Sequence, residues 1–257
     1  MSITQVPIYP RDAYAQSSYC NWFYRGAQAS GDIDNVISGK AQAVKHASFT
    51  DGSCWANSGF ATIGGSSTNY ASIDSATADL QSLATHSLIV AFTVKKSVAT
   101  YPAVENYLYA SYKPGSQYGG IVVASMTTGN ARLYLNSTDN TTVSLTTAAN
   151  VISDNSSILT KTLVFIVPRN GTTGYWGIDG LEAGSGTVTS VTSKALAGGR
   201  TARLGASLAG VAIDTHRISN FQSYCVPADG GDLSRLAIYD WVQRNPHLPI
   251  PDWVFGL

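Results

Sequence analysis

The sequence predicts an all-β sandwich closed by one short helix, and three observations carry the prediction. Short β-branched and aromatic runs recur along the chain, each bounded by Gly, Asn, Asp or Ser. Apolar residues fall convincingly at helical spacing in one segment only, near the C-terminus. The 257 residues hold no fixed-period repeat and no Pro- or charge-rich linker, and sandwiches of this length run as one domain.

Taken in order, residues 1–25 are irregular and aromatic. Tyr9, Tyr14, Tyr19, Trp22, Phe23 and Tyr24 are interrupted by Pro7 and Pro10, which reads as an N-terminal arm or a leading edge strand. Residues 26–257 then form the sandwich domain, including the helix and the tail. From Gly26 to Tyr70 the chain is rich in Gly and Ser, with brief strands expected around Val36–Ile37 and Phe60–Ile63. In Leu88–Val94, residues Leu88, Val90, Phe92 and Val94 alternate with Ile89, Ala91 and Thr93 and line one face of a core strand. Further strands are expected at Asn106–Tyr112, Gly120–Ala124, Ala131–Leu135, Thr141–Leu145 and Lys161–Val167. Tyr175–Ile178 runs into Asp179-Gly180, a pair that accepts the positive φ angles of a two-residue hairpin, and Leu181-Glu182 begins the return. In the helix Asp232 is the expected cap, Leu233, Leu236, Ala237 and Trp241 the apolar stripe, and Asn245-Pro246 the stop. The prolines of His247–Phe255 predict an extended tail, and Ile250, Trp253 and Phe255 are too apolar to face water.

Composition narrows the function. Charged residues make up 12% of the chain, with Lys plus Arg and Asp plus Glu at 16 each, so the surface is mostly uncharged polar. No Lys/Arg stripe exists to attract phosphate backbones, which argues against nucleic acid as a partner. No apolar stretch reaches the ~18 residues of a membrane span, and Met1–Pro10 lacks the pattern of a signal peptide. Synthesis in the cytoplasm without a signal peptide, and no membrane insertion, are the expectations. Cys20, Cys54 and Cys225 are odd in number and widely spaced, which suggests reduced, buried thiols rather than a zinc site. The N-x-S/T sequences at Asn136, Asn140, Asn155 and Asn170 read as turn-rich strand ends.

The order of these landmarks resembles a known family. The Leu88 strand, the Tyr175–Gly180 hairpin, Ala202–Ala206 and the long segment Gly210–Phe221 are similar to the concanavalin-A-like jelly roll of the laminin-G-like kind. The helix followed by Asn245–Pro251 resembles the ending of bacteriophage virion proteins. The resemblance covers roughly Trp22 to Phe255 and implies a jelly-roll sandwich with a short C-terminal helix. It also implies a lectin, a β-glucan hydrolase or an adhesive module, and in phages a part of a tail, baseplate, fibre or capsid surface. Calcium is the metal such domains sometimes hold, and Asp32, Asp34, Asp179 and Asp214 are the candidates; otherwise these are plain turn aspartates.

The chemistry argues against an enzyme. A retaining glycosidase needs two carboxyl groups about 5–5.5 Å apart, yet Glu105 and Glu182 are the only glutamates and fall on different elements. Gly205–Gly210 is one residue too long for G-x-S-x-G and precedes no helix. His46, His86, His216 and His247 are scattered singly. The best binding candidates are Tyr101, Tyr107, Tyr109, Tyr112 and Tyr118, whose rings offer flat faces for sugars and anchors for proteins. The competing reading puts Tyr107 and Tyr109 on one strand face, in the core or at its rim. Tyr9, Tyr14, Trp22, Trp253 and Phe255 are candidate assembly contacts, against self-docking onto their own sandwich.

The expected function is therefore a non-enzymatic bacteriophage virion protein, located in the virion, acting through contacts with other virion proteins and as a homo-oligomer. The alternative is a receptor-binding, lectin-like protein that recognises a host surface glycan. The two differ in what the loops touch.

Overall fold

The computed structural model describes residues 18–25, 32–33, 35–37, 42–45, 63–66, 70–74, 83–96, 105–112, 121–125, 127–137, 139, 141–152, 160–190, 201–205, 213–227 and 233–256. Its strands are β1 (Cys20–Tyr24), β2 (Val44–Lys45), β3 (Ile63–Ser66), β4 (Ala71–Asp74), β5 (Ser87–Lys96), β6 (Asn106–Tyr112), β7 (Ile121–Ser125), β8 (Ala131–Asn136), β9 (Thr142–Thr146), β10 (Thr160–Val167), β11 (Thr173–Ile178), β12 (Leu181–Thr187), β13 (Thr201–Leu204) and β14 (Ile213–Val226). One α-helix, α1 (Arg235–Arg244), and a 3-10 turn, Asp252–Phe255, follow.

The strands form two antiparallel sheets. The first runs β1-β14-β5-β10-β11-β12, with β3 also paired to β14, and the second runs β2-β4-β13-β6-β7-β8-β9. β1 is thus an edge strand laid along β14. Leu88, Val90, Phe92 and Val94 of β5 face the second sheet and pack in one core with Leu133, Leu135 and Leu145. Their neighbours Ile89 and Ala91 are equally buried on the opposite face, in a second core shared with α1 and the tail. A strand covered on both faces reads as a continuous apolar run, which is why the alternation in Leu88–Val94 is so weak. The Asp179-Gly180 hairpin forms as expected, with φ of 49° and 86° at its two central residues. Asp179 also accepts the Thr162 amide at 3.0 Å and the Lys161 ammonium at 2.6 Å. Val36 and Ile37, expected in a strand, lie instead in a bend, because Asn35 Oδ1 accepts the amides of both Phe23 and Ile37 and curls the chain.

The helix stops at Asn245 as predicted, but its buried face differs from the predicted stripe. Ile238, Tyr239 and Val242 are buried beside Leu233, whereas Leu236 is 65% exposed and Ala237 is exposed. The phase is set by a different element: Tyr239 lies over Gly177 of β11, where an added Cβ would meet the ring at 2.4 Å. The expected cap, Asp232, lies outside the described residues.

The tail is extended to Pro251 and then turns. Pro251 accepts the Val254 amide at 3.0 Å, and Gly256, at φ 84°, ends the 3-10 turn, so the extended path predicted as far as Phe255 stops four residues early. Ile250 donates its amide to the Tyr224 hydroxyl at 2.8 Å, and Phe255 packs on the Tyr19 and Tyr224 rings at 6.2 and 5.6 Å. His247 Nδ1 donates to Asn220 Oδ1 at 2.9 Å, and Gln222 Nε2 donates to Pro246 O at 3.3 Å. Phe255 is fully buried in this docking, which removes it from the candidate assembly contacts. Trp22, 2% exposed and 5.3 Å from the Tyr109 ring, is likewise a core residue of its own chain. Trp253 remains 63% exposed, edge-on to Trp241.

Two predictions follow from this packing. Gly177→Ala forces the Tyr239 ring off β11 and should lower stability by about 1–3 kcal/mol in urea denaturation, the usual cost of overpacking; an unchanged midpoint would show that α1 adjusts freely. Burial, followed by the charge of Arg25, holds the His247 imidazole below its ordinary pKa of 6.5. Below pH 6.5 the unfolded chain then binds the proton more readily than the folded one, so stability falls as pH drops. His247→Gln should flatten that part of the stability curve, measured by thermal denaturation between pH 7.5 and 5.

Candidate functional site

With α1 and the tail packed on the first sheet, the outward positions of the second sheet carry a different kind of residue. On β8, Ala131, Leu133 and Leu135 point into the core while Arg132 and Tyr134 are half-buried on the opposite face. On β9, Leu145 points inward and Thr142, Ser144 and Thr146 outward. Cross-strand register aligns these positions in rows. One row runs Tyr107, Ala124, Arg132, Thr146 across β6 to β9, and the next runs Arg203, Ala110, Val122, Tyr134, Ser144 across β13 to β9.

A bulge in β6 decides which tyrosine reaches this face. Pairing with β7 skips Leu108, so Leu108 and Tyr109 both enter the core and Tyr107 turns outward. Tyr109 is fully buried, stacked on Phe221 at 4.3 Å, and offers no face to a ligand. Its place among the predicted binding residues is corrected accordingly. The period-2 alternation that put Tyr107 and Tyr109 on one face fails because the bulge inserts one residue between their rows. Tyr112 closes β6 and pairs through its backbone with Thr201. Tyr101, Tyr118, Tyr9 and Tyr14 lie outside the described residues.

Around Tyr107 the outward side chains interlock. The Tyr134 hydroxyl donates to Glu105 Oε1 at 2.7 Å and accepts from Arg132 Nη1 at 2.8 Å. The Tyr107 hydroxyl donates to Glu105 Oε2 at 3.3 Å, and Arg132 Nε donates to Thr146 Oγ1 at 2.9 Å. The Arg132 guanidinium lies 5.3 Å from the Tyr134 ring centroid. Burial, and then the hydrogen bond to the Glu105 carboxylate, push the Tyr134 phenol above its ordinary pKa, with Arg132 opposing. A second guanidinium–ring pair, Arg203 over Tyr70 at 4.8 Å, sits on the same face three strand spacings from Tyr134, about 14 Å. Arg132, Tyr134 and Thr146 were not singled out from the sequence, although the alternation Ala131-Arg-Leu-Tyr-Leu135 already marks Arg132 and Tyr134 as outward.

This arrangement is suited to recognition. Glu105 serves as acceptor to two phenols, while Glu182 lies in the other sheet, paired with Arg235 at 2.7 Å. The two glutamates therefore do not meet. Among the described residues no three His, Cys, Asp or Glu side chains converge on a metal position. Asp179, a calcium candidate, is committed to Lys161 and Thr162, and Asp34 lies outside the described residues. Cys20 and Cys225 are buried thiols; Cys20 Sγ donates to Trp22 O at 3.4 Å and Cys225 Sγ accepts from Asn21 Nδ2 at 3.1 Å.

No protein-family model matches the chain, and no curated protein matches it in sequence. Solved structures do match. The binding domain of botulinum neurotoxin DC, solved in complex with rat synaptotagmin II, is 9% identical with a TM-score of 0.64 over 89% of this chain and 52% of that one. The ligand-binding domain of serotype D, solved with N-acetylneuraminic acid, is 11% identical with a TM-score of 0.63 over 89% and 52%. The receptor-binding domain of type G is 10% identical with a TM-score of 0.61 over 88% and 51%. At such identities the likeness shows the β-sandwich fold alone. The chain spans about half the length of those domains.

The electrostatics of the cluster can be read directly. Glu105→Ala removes both the acceptor and the negative charge, so the Tyr134 phenol should titrate at lower pH than in the native protein. Titration of 13Cζ-tyrosine resonances by NMR checks this; a Tyr134 curve that does not move would mean the pair is not coupled in solution.

Proposed function

We propose that this chain is a non-enzymatic, lectin-like recognition module that binds a cell-surface receptor through its glycan. The observation that carries the reading is the cluster of Glu105, Tyr107, Arg132, Tyr134 and Thr146. It is a set of rings, donors and acceptors held in place by its own hydrogen bonds on the outward face of the second sheet. Holding side chains in their bound geometry before contact lowers the entropy cost of binding. The shared fold supports the same reading, since one matching domain is a receptor-binding domain and two others were solved with N-acetylneuraminic acid and with rat synaptotagmin II.

The reading of a bacteriophage virion subunit of concanavalin-A-like kind, assembled with its own copies and with other virion proteins, keeps one observation in its favour. Trp253, 63% exposed against Trp241, is the kind of aromatic that anchors protein contacts.

Sedimentation velocity of the purified protein, with and without bacterial surface polysaccharide, separates the two. Saturable, polysaccharide-dependent acceleration without release of reducing ends is the expected result. A discrete oligomer indifferent to polysaccharide would favour the virion subunit, and released reducing ends would overturn the non-enzymatic assignment.

A further inference from the structure

We infer that β12 is a pairing edge for a second copy of this chain, joined antiparallel about a two-fold axis at Ser185. The dimer goes beyond the recognition reading and does not depend on it.

Among the described residues the sheet edges are not equivalent. β1 is capped by its own chain, since Val36 donates its amide to Phe23 O at 2.8 Å and Asn35 Oδ1 accepts the Phe23 amide at 3.1 Å. β2 has two residues and β9 five, with no large apolar side chain exposed along β9. β12 has seven and ends its sheet, with Leu181, Glu182, Ala183, Ser185 and Thr187 all exposed. An edge strand presents unpaired N–H and C=O groups, and Lys or Pro commonly guards it; β12 contains neither. Two exposed leucines border it, Leu181 at its start and Leu236 on α1.

The position of the axis follows from register. Pairing with β11 skips Ala183, where β12 is bulged, and is regular from Gly184 to Thr187. Centring the pair on Ser185 uses that regular stretch: Ser185 meets its counterpart, Gly184 meets Gly186, and Ala183 meets Thr187. The first turn of α1 lies level with Ser185, because the Arg235 guanidinium sits 4.0 Å from the ring centroid of Tyr175, the β11 partner of Ser185. One flank of α1 carries Trp241, which packs on Trp253 and donates to Pro249 O of the tail. Leu236 is on the other flank with Gln243, which lies against Gly180 at the turn into β12, so Leu236 overhangs the edge. Across the axis the two β11 strands are three strand spacings apart, about 14 Å. Tyr239 holds α1 over Gly177 of β11, so the two helices share that separation, wider than the roughly 8–10 Å of direct helix packing. Two Leu236 side chains fill the difference.

Charge favours a copy over a foreign partner. The charged groups of β12 and α1 are Glu182, Arg235, Asp240 and Arg244, closed in the pairs Arg235–Glu182 and Arg244–Asp240 at 2.7 Å each. Asp179 at the turn is closed by Lys161 at 2.6 Å. A strongly charged partner finds no complement here, whereas a second copy brings the same neutral edge and the same leucine. The contact is isologous and so closes at two copies. Its axis is perpendicular to the first sheet, which puts both α1 helices on one side and both second sheets on the other. Two Glu105–Tyr134 clusters then face the same way, and on the recognition reading the dimer gains avidity on a surface of repeated ligands.

Sedimentation velocity and cysteine cross-linking of the full chain test the inference. A short edge pairing belongs to the small end of specific interfaces, so dimer should form over about 10–500 μM. Ser185→Lys sets two ammonium groups against each other at the axis and should weaken the dimer at least about tenfold, with Leu236→Lys acting in the same direction; Ser185→Thr should retain it. All three side chains are exposed, and thermal denaturation checks that each variant folds. Opposed residues of an antiparallel pair have Cα atoms about 4.5–5.5 Å apart, within the span of a disulfide. Mild oxidation should therefore link Ser185→Cys into a covalent dimer, while the native protein and Ser144→Cys, exposed on β9, stay unlinked. A native chain still monomeric at about 500 μM, a Ser185→Lys dimer as strong as the native one, or cross-linking through Ser144→Cys in place of Ser185→Cys would each overturn the inference. Polysaccharide binding is scored separately, so its absence would remove the recognition reading and leave the dimer standing.

Discussion

The constraint on which the rest of the structure depends is the burial of both faces of the central strands β5, β10 and β14. One face is closed by the second sheet. The other needs a separate cover, and the chain supplies it from its C-terminal segment: Ile238, Tyr239 and Val242 of α1, then Ile250, Val254 and Phe255 of the tail. That cover is fixed by specific contacts, with Tyr239 seated over Gly177 and Ile250 hydrogen-bonded to Tyr224. Fully burying an apolar side chain contributes roughly 1.5–3 kcal/mol, so a tail bearing several of them belongs to the domain and is no loose appendage. Where the first sheet's second face carries Ile89, Ala91, Val164 and Ile166 beneath α1 and the tail, the outward positions of β8 and β9 in the second sheet carry Arg132, Tyr134, Ser144 and Thr146, each half-buried or exposed among the described residues.

Most of the strands could be read from the sequence because each is a short apolar run bounded by turn residues. Asn106–Tyr112 is matched residue for residue, and Ala131–Leu135, Thr141–Leu145 and Lys161–Val167 lie within one residue of the observed strands. The Asp179-Gly180 hairpin was legible for a local reason, since both turn residues must take positive φ. What could not be read was anything set by a distant partner. The phase of α1 depends on a gap at Gly177, some sixty residues away in sequence. The helical spacing of Leu233, Leu236, Ala237 and Trp241 marks the segment as a helix but carries no information on the partner that sets which face is buried. The β6 bulge is the second such case: nothing local marks Leu108 as the extra residue, yet it alone separates Tyr107, at the surface, from Tyr109, in the core. The site was legible in half. Tyr107 was found by its ring and its neighbours, whereas Arg132 and Tyr134 were passed over because their strand was read for what it buries.

The sparse charge of the chain has a structural counterpart. Among the described residues, the ion pairs Lys161–Asp179, Arg235–Glu182 and Arg244–Asp240 are each closed locally, and the first two join neighbouring elements. Arg132 and Glu105 are closed through a phenol. Exposed pairs of this sort contribute little stability, so their value lies in cancelling charge where it would otherwise project.

Fold kinship alone would not have led to this face. The matching toxin domains share a β-sandwich at roughly a tenth of sequence identity, and the matched region is about half of each. A contact made by their unmatched half carries no weight for this chain, and at such identity neither does an individual side chain in the matched half. What transfers is the scaffold: two sheets whose strands hold outward residues in rows at fixed spacing, stiffened from behind by a core. On such a scaffold a recognition surface needs no loop of special conformation, because alternation places every second residue outward and register brings residues from four strands together. Tyr107, Arg132 and Thr146 lie far apart in sequence and meet in one row for that reason. The physics that makes the fold stable therefore also gathers these polar and aromatic side chains into one row.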